Sequence, residues 1–182
     1  DNNFILSYLT FGLSDYHNNL RSVYVLSITS KNKKLKIVYK PKDMRLDFQY
    51  QLVLQDLNAT SGLPPLKTIK ILCRNNYGYM EFINHLPCND KKELSSFYFN
   101  AGRLTSLLYI LGCTDCHHEN LIAHLDQLYL VDTETLFEPE INDYTNKKYN
   151  QQTNCAQRAI NDSVLRSGLL PNWIFLGTER KA

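Results

Sequence analysis

Glycine is scarce in this sequence, with seven among 182 residues, and no glycine-rich repeat can be built from so few. No internal repeat of any other kind is present either. No apolar run approaches the roughly 20 residues that a membrane-spanning helix needs, and no secretory signal pattern stands at the start. Charge of one sign is lacking too: Lys and Arg exceed Asp and Glu by only two. That balance is too weak to argue for a nucleic-acid partner. Cysteines number five, an odd count at irregular spacing. Such a set does not make a disulfide framework and reads as free thiols in a reducing, cytoplasmic setting. The first residue is Asp rather than Met, so the chain reads as a piece of a longer protein.

What is present suits a packed core. Hydrophobic residues make up 43% and charged residues 21%, which allows one full domain or two small lobes. Alternating apolar residues predict strands over 21–29 and 35–40, joined by a polar turn into an antiparallel hairpin. Positions 2–11 are short and apolar, a strand or a helix end. Pro41 ends the second strand because proline cannot donate to a ladder. Leu46, Tyr50, Val53 and Leu57 lie on one face of a helix over 45–57, with Asp43 placed to cap it and Asn58 to close it. Strands over 67–74 and 77–83 form a second hairpin in the same sheet. Asn84-His85-Leu86-Pro87 breaks the pattern and marks a boundary, giving an N-terminal lobe over 1–84 and a C-terminal lobe over 85–182. A helix over 91–111 follows, capped by Asn89 or Asp90, with Leu94, Phe97, Tyr98, Ala101, Leu104, Leu108 and Leu111 as its apolar positions. Gly112 is its stop.

That helix delivers the chain to a motif. Asp115, His117 and Asn120 form a D-x-H-x-x-N arrangement. After Asn120 come a strand over 121–123, a turn over 124–127 and a returning strand over 128–131 that ends at Asp132, with Glu134 two residues on. Kinase-type phosphoryl transfer requires this set: one Asp for the attacking hydroxyl, an Asn and a second Asp for metal ions that bridge the phosphates, and a strand lysine for the nucleotide. Lys40, at the end of its strand, is the candidate lysine. Taken alone it is also an ordinary solvent-facing strand residue. Asp15 and His17, taken alone, are equally ordinary loop residues. Two other readings compete for the loop. Cys113-Thr114-Asp115-Cys116-His117 spells the c-type haem attachment pattern, which needs an oxidising compartment. Cys113, Cys116, His117 and His118 give half a zinc site, but the other cysteines stand alone and supply no second ligand pair. The two loop cysteines read best as small buried fillers.

Five segments carry a family resemblance: KIVYKPKDMRLDFQYQLVLQDLN, YGYMEFI, FYFNAGRLTSLLYILGCTDCHHENLI, LYLVDTETLFEP and SVLRSGLLPNWIF. In order along nearly the whole chain, they resemble the dehydratase domain of class II lanthipeptide synthetases, the LanM-type lantibiotic-modifying enzymes. The His at the third loop position also resembles the lipid-kinase arrangement more than the H-R-D of protein kinases. The resemblance implies an α+β, lipid-kinase-like two-lobe core: an antiparallel N-lobe sheet, then a mainly helical C-lobe. It implies ATP and Mg2+ as cofactors and a ribosomally made precursor peptide as partner. Ser and Thr of that peptide would be phosphorylated, and phosphate eliminated to give dehydro residues. Lys40 then matches the ATP-phosphate lysine, and Asp115, His117 and Asn120 the catalytic loop. Asp132 and Glu134 match the metal-binding and adjacent acidic positions. Asp15 and His17 match a D-x-H loop implicated in phosphate handling, although Ser14 stands where the pattern has Gly. Backbone groups of 81–84 would line the adenine pocket. Arg and Thr residues used in elimination, and a C-terminal zinc cyclase domain, would lie beyond this chain.

The remainder of the chain is less informative. Positions 142–153 are polar and read as a loop. Positions 155–167 read as a helix with Ala159, Ile160, Val164 and Leu165 inward, stopped by Pro171, and with Trp173 and Phe175 packing beyond it. Two other functions share the motif or the shape: a non-catalytic kinase-like module that binds a leader peptide, and a lipid or small-molecule kinase.

Overall fold

The computed structural model describes residues 5–10, 22–30, 33–137 and 159–170. Strands β1 (Ile5–Thr10), β2 (Tyr24–Ser30) and β3 (Lys33–Lys40) form an antiparallel meander. Helix α1 (Arg45–Thr60) follows, and then β4 (Ile71–Arg74) and β5 (Tyr77–Glu81). β5 inserts beside β3, so the five-stranded sheet has the order β1-β2-β3-β5-β4. Its inner face is Val25, Val38 and Met80, packed on Met44 and Ile69. Tyr24, Tyr39, Tyr77 and Tyr79 cluster on the opposite face, Tyr24 and Tyr39 stacked and the other pairs tilted or edge-on, as period-2 alternation requires. Gly78 lies tight against Met44 at the entry to α1. A Cβ there would stand 2.8 Å from Met44 Cγ and 3.0 Å from the Leu72 carbonyl oxygen.

Helix α2 (Lys91–Ile110) starts where expected, with the Asp90 side chain accepting from the Glu93 amide. It ends at Gly112, whose φ of +69° suits glycine at this stop. The hairpin β6 (Leu121–His124) and β7 (Gln127–Leu130) comes next. It is tied to the segment after the sheet by Leu86 N to Ala123 O at 3.1 Å and Leu125 N to Leu86 O at 3.0 Å. A 3-10 turn, Val164–Ser167, packs against α2.

Three expectations about faces are corrected. On α1 the buried residues are Asp47, Tyr50, Gln51 and Leu54, while Leu46, Val53 and Leu57 are half-buried. Polar side chains hold this rotated face because they have partners: Gln51 Oε1 accepts from the Ile69 amide at 2.8 Å. That bond also explains why 67–70 forms no ladder; its amides are taken by side chains, Lys67 N by Gln127 Oε1. α1 also runs past Asn58 to Thr60, since the Asn58 amide bonds Leu66 backbone on both sides instead of closing the helix. On α2, Leu104 and Leu108 are buried but Leu94 and Tyr98 are exposed, and Asn100 is buried donating to the Asp126 carbonyl. Ala159, Ile160, Val164 and Leu165, expected inward, are exposed; Ser167 is buried and Leu169 packs on the core.

Two cores result. One joins Tyr50 and Leu54 of α1 with Leu66, Leu104, Leu108, Cys113, Cys116, Leu130 and Leu136. The other joins the sheet's inner face with Met44, Ile69 and the half-buried Tyr129 and Val131. Both draw on residues from either side of positions 84–85. Among the described residues, no helix is long and apolar enough to cross a membrane.

Candidate active site

A cleft of about 840 Å³ lies between the sheet's inner face and the β6–β7 hairpin. Val25, Val38, Met80, Phe82, Ile122 and Val131 line its apolar end, and Lys40, Lys42, Asp115, His117, Asn120, Asp132 and Glu134 its polar end. All the expected site residues that the structure describes therefore face one space. Asp15 and His17 lie outside the described residues, as do 142–153, Cys155, Trp173 and Phe175.

Local folding explains how each arrives. β3 alternation puts Val38 and Lys40 on the inner face, with Lys40 opposite Gly78 in register. Lys40 is buried, and its ammonium donates to the Val131 carbonyl and lies 3.9 Å from Asp132 Oδ2. It is not the solvent-facing strand lysine that its position alone allows. The tight hairpin returns the chain so that Val131 N donates to Asn120 O at 2.9 Å. That bond sets Asp132, the next residue, beside the loop that holds Asp115, His117 and Asn120.

The loop itself is held by its own side chains. Asn120 Nδ2 donates to Asp115 O at 2.8 Å and to Asp115 Oδ2 at 3.2 Å. The Glu119 amide donates to His117 Nδ1 at 3.2 Å. An accepting Nδ1 puts the ring proton of the neutral imidazole on Nε2, and Nε2 faces Asp115 Oδ1 at 3.1 Å. Asp115 is half exposed. The Thr135 hydroxyl accepts from the Thr114 and Asp115 amides at 3.4 and 3.2 Å, linking the loop to the Asp132–Glu134 segment. On its far side, Cys116 N donates to the Ser167 carbonyl at 2.8 Å.

Lys42 and Asp47 belong to the site although no motif marks them. The Lys42 ammonium is 2.6 Å from Asp132 Oδ1, 3.1 Å from Glu134 Oε1 and 3.8 Å from Asp47 Oδ2. Burial pulls the Lys42 pKa down, but the Asp47, Asp132 and Glu134 carboxylates together outweigh it and raise the pKa. Lys40 goes the other way: burial lowers it, and Asp132 only partly compensates. Burial pushes the Asp132 carboxyl up, yet Lys40 and Lys42 prevail and hold it below the usual range. Asp47 is pushed up, because burial exceeds the pull of the two lysines. The sequence carried no signal for Asp47, because it lies on the rotated face of α1 that is buried with Tyr50 and Gln51.

The loop cysteines are corrected in one respect. Both are buried, as expected of fillers, but they form a disulfide across a Cα separation of 6.7 Å rather than standing as free thiols. This separation lies within disulfide reach, and the turn between the two residues brings both sulfurs into the same core. Cys73 and Cys88 are free. Among the described residues, no three His, Cys, Asp or Glu side chains group as metal ligands, and two cysteines joined to each other offer no thiolates to a zinc ion.

A family model described as "Domain of unknown function (DUF4135)" matches residues 5–182, and the chain belongs to that family. The chain is also 29% identical over 167 residues to the lacticin 481/lactococcin biosynthesis protein LcnDR2 of Lactococcus lactis subsp. lactis. That alignment covers 86% of this chain and 17% of the relative. The two matches bear out the resemblance to LanM-type lanthipeptide synthetases.

Proposed function

We propose that this chain carries the ATP site of a lanthipeptide-modifying enzyme, with a lipid-kinase-like arrangement of sheet and catalytic hairpin. Its reaction is phosphorylation of Ser and Thr in a ribosomally made precursor peptide, the first half of a dehydration. The observation that carries this reading is convergence. Lys40, Asp115, His117, Asn120, Asp132 and Glu134 come from β3, the loop after α2 and the segment after β7, and line one cleft. The name of the lactococcal relative, a lantibiotic biosynthesis protein, supports the peptide substrate.

The apolar end of the cleft suits a flat base, and the polar end suits phosphates. Lys40 has a buried ammonium on a rigid strand, a preorganised counter-charge for phosphate oxygens. Asp115 would receive the proton of the attacking Ser or Thr hydroxyl while its oxygen bonds the γ-phosphorus of ATP and the bond from that phosphorus to the β–γ bridging oxygen breaks, ADP being the leaving group. His117 holds the Asp115 carboxylate in place through Nε2–H. Asn120 fixes the same carboxylate through Nδ2, which leaves its Oδ1 for a cation. The residues fit a divalent metal: Asp132 and Glu134 already converge on one cation, the Lys42 ammonium. Mg2+, held there by Asp132, Glu134 and Asn120, would neutralise phosphate charge. Elimination of phosphate, in which Asp15 and His17 are expected to act, is the second half of the proposed reaction. The cyclase domain expected further along completes the proposed enzyme.

The test is Asp115→Asn in the intact protein, with the precursor's mass followed over time. Dehydration, read as loss of 18 Da per residue and carried out through phosphorylation, is expected to slow by at least about a hundredfold. Unimpaired dehydration would overturn the assignment.

A further inference from the structure

Lys42 stands where a metal ion is wanted. Its ammonium lies 2.6 Å from Asp132 Oδ1 and 3.1 Å from Glu134 Oε1, the same two carboxylates that the proposed function gives to Mg2+. We propose that Lys42 is a built-in competitor for the metal, occupying the carboxylate pair until metal and nucleotide phosphates arrive together. The inference rests on the nucleotide–metal reading of this cleft.

Three observations carry it. The geometry is that of occupation: one ammonium is shared by two carboxylates that approach it from the same segment, Asp132 and Glu134. Oxygens that close to an ammonium have no room for a divalent ion as well, since Mg2+ requires oxygens at about 2.0–2.1 Å. Next, the lysine is anchored. It follows Pro41, its side chain is only 14% exposed, and a third carboxylate, the buried Asp47, lies 3.8 Å from it on α1. An ammonium displaced from Asp132 and Glu134 therefore keeps one partner and does not need to leave the cleft. Finally, the charge count favours joint arrival. Lys40 and Lys42 face Asp47, Asp132 and Glu134, two cations against three anions. A metal alone must displace Lys42 from two ion pairs, leaving its charge with Asp47 as its one carboxylate partner and beside the incoming cation. A metal accompanied by phosphates brings Lys42 new anionic partners, so the displacement cost falls. The consequence is positive coupling between metal and nucleotide, and suppression of metal capture by the empty cleft.

The experiment uses Mn2+ alone as the probe, followed by electron paramagnetic resonance in the intact protein without nucleotide. Wild type is expected to bind Mn2+ weakly. Lys42→Gln is expected to bind it about tenfold more tightly or better, because a unit positive charge beside the ligands has gone. Lys42→Arg, which keeps the charge, is expected to stay weak. Removing Lys42 leaves Asp47 buried without its partner, so Lys42→Gln with Asp47→Asn serves as the balanced variant, and tight Mn2+ binding is expected there too. Unchanged or weaker Mn2+ affinity in the balanced variant, with its fold verified by circular dichroism, overturns the proposal. Tight Mn2+ binding by nucleotide-free wild type overturns it as well. Nucleotide binding by wild type is measured separately: its absence counts against the proposed function, whereas the manganese comparison decides the role of Lys42.

Discussion

Thr135 shows what a single hydroxyl does in this site. It accepts from two successive amides of the loop after α2, Thr114 and Asp115, and belongs to the segment that carries Asp132 and Glu134. It is a positioning residue, acting on Asp115 through backbone. Thr135→Val leaves both amides without that acceptor and frees the loop to shift. Turnover should fall by about ten- to a hundredfold, the effect of an ångström-scale misplacement, while nucleotide affinity is largely kept. Thr135→Ser should recover most of the loss, which a purely structural role of the methyl group would not allow. Kinetics on the precursor peptide and nucleotide titration separate the two. Thr135 was not legible in the sequence, since a threonine after an acidic residue has no distinguishing spacing. The convergence of Asp115, His117, Asn120 and Asp132 on one cleft was legible, because a loop followed by a tight hairpin returns the chain beside itself. Lys42 lay two residues from Lys40 in plain view, but nothing in K-P-K says which lysine turns inward. Here both do.

At the scale of elements, the strands and helices were readable and their faces less so. Alternation located β2, β3 and β5 because a sheet with one buried face imposes it. The 3.6-residue period found α1 and α2, but polar residues with partners, Gln51 and Asn100, occupy buried positions that the pattern assigned to apolar ones. Side-chain bonds to distant backbone have no local signature, so the rotated face of α1 follows only from the tertiary structure. Gly78 gives an element-scale test. Ala there would press on Met44 and on the Leu72 carbonyl, where β5 crosses the start of α1. Gly78→Ala should destabilise the fold by about 1–3 kcal/mol through overpacking, read as a lower urea midpoint at unchanged slope. Because Gly78 pairs with Lys40, nucleotide affinity should drop in the same variant.

For the whole molecule, the ion cluster ties the sheet side of the cleft to the hairpin side and makes stability depend on pH. The folded-state pKa of Asp132 is depressed, so the stability it contributes is present above the unfolded value of about 3.9 and is lost as pH falls through the folded value. Asp132→Asn should therefore cost about 1–3 kcal/mol near neutral pH, and the gap from wild type should close as pH drops below about 4. Lys42 gives the opposite limb. Its pKa is raised, so its contribution is complete below the unfolded lysine value of about 10.4 and fades as pH climbs through the folded value. Urea denaturation of wild type, Asp132→Asn and Lys42→Met across pH measures both limbs. An acid-side gap that stays constant would show that Asp132 draws no stability from the lysines.

Helix α1 contributes Tyr50 and Leu54 to one core, while Met44, the residue before its first turn, lies buried in the other. It works as a common axle to which the sheet on one side and α2 with the hairpin on the other are both bolted. Swinging the two walls of the cleft apart would have to open one of those cores, at about 2–5 kcal/mol for each large side chain that loses its packing. Access to this cleft therefore falls to the side chains that line it, lysines and carboxylates among them, rather than to a hinge.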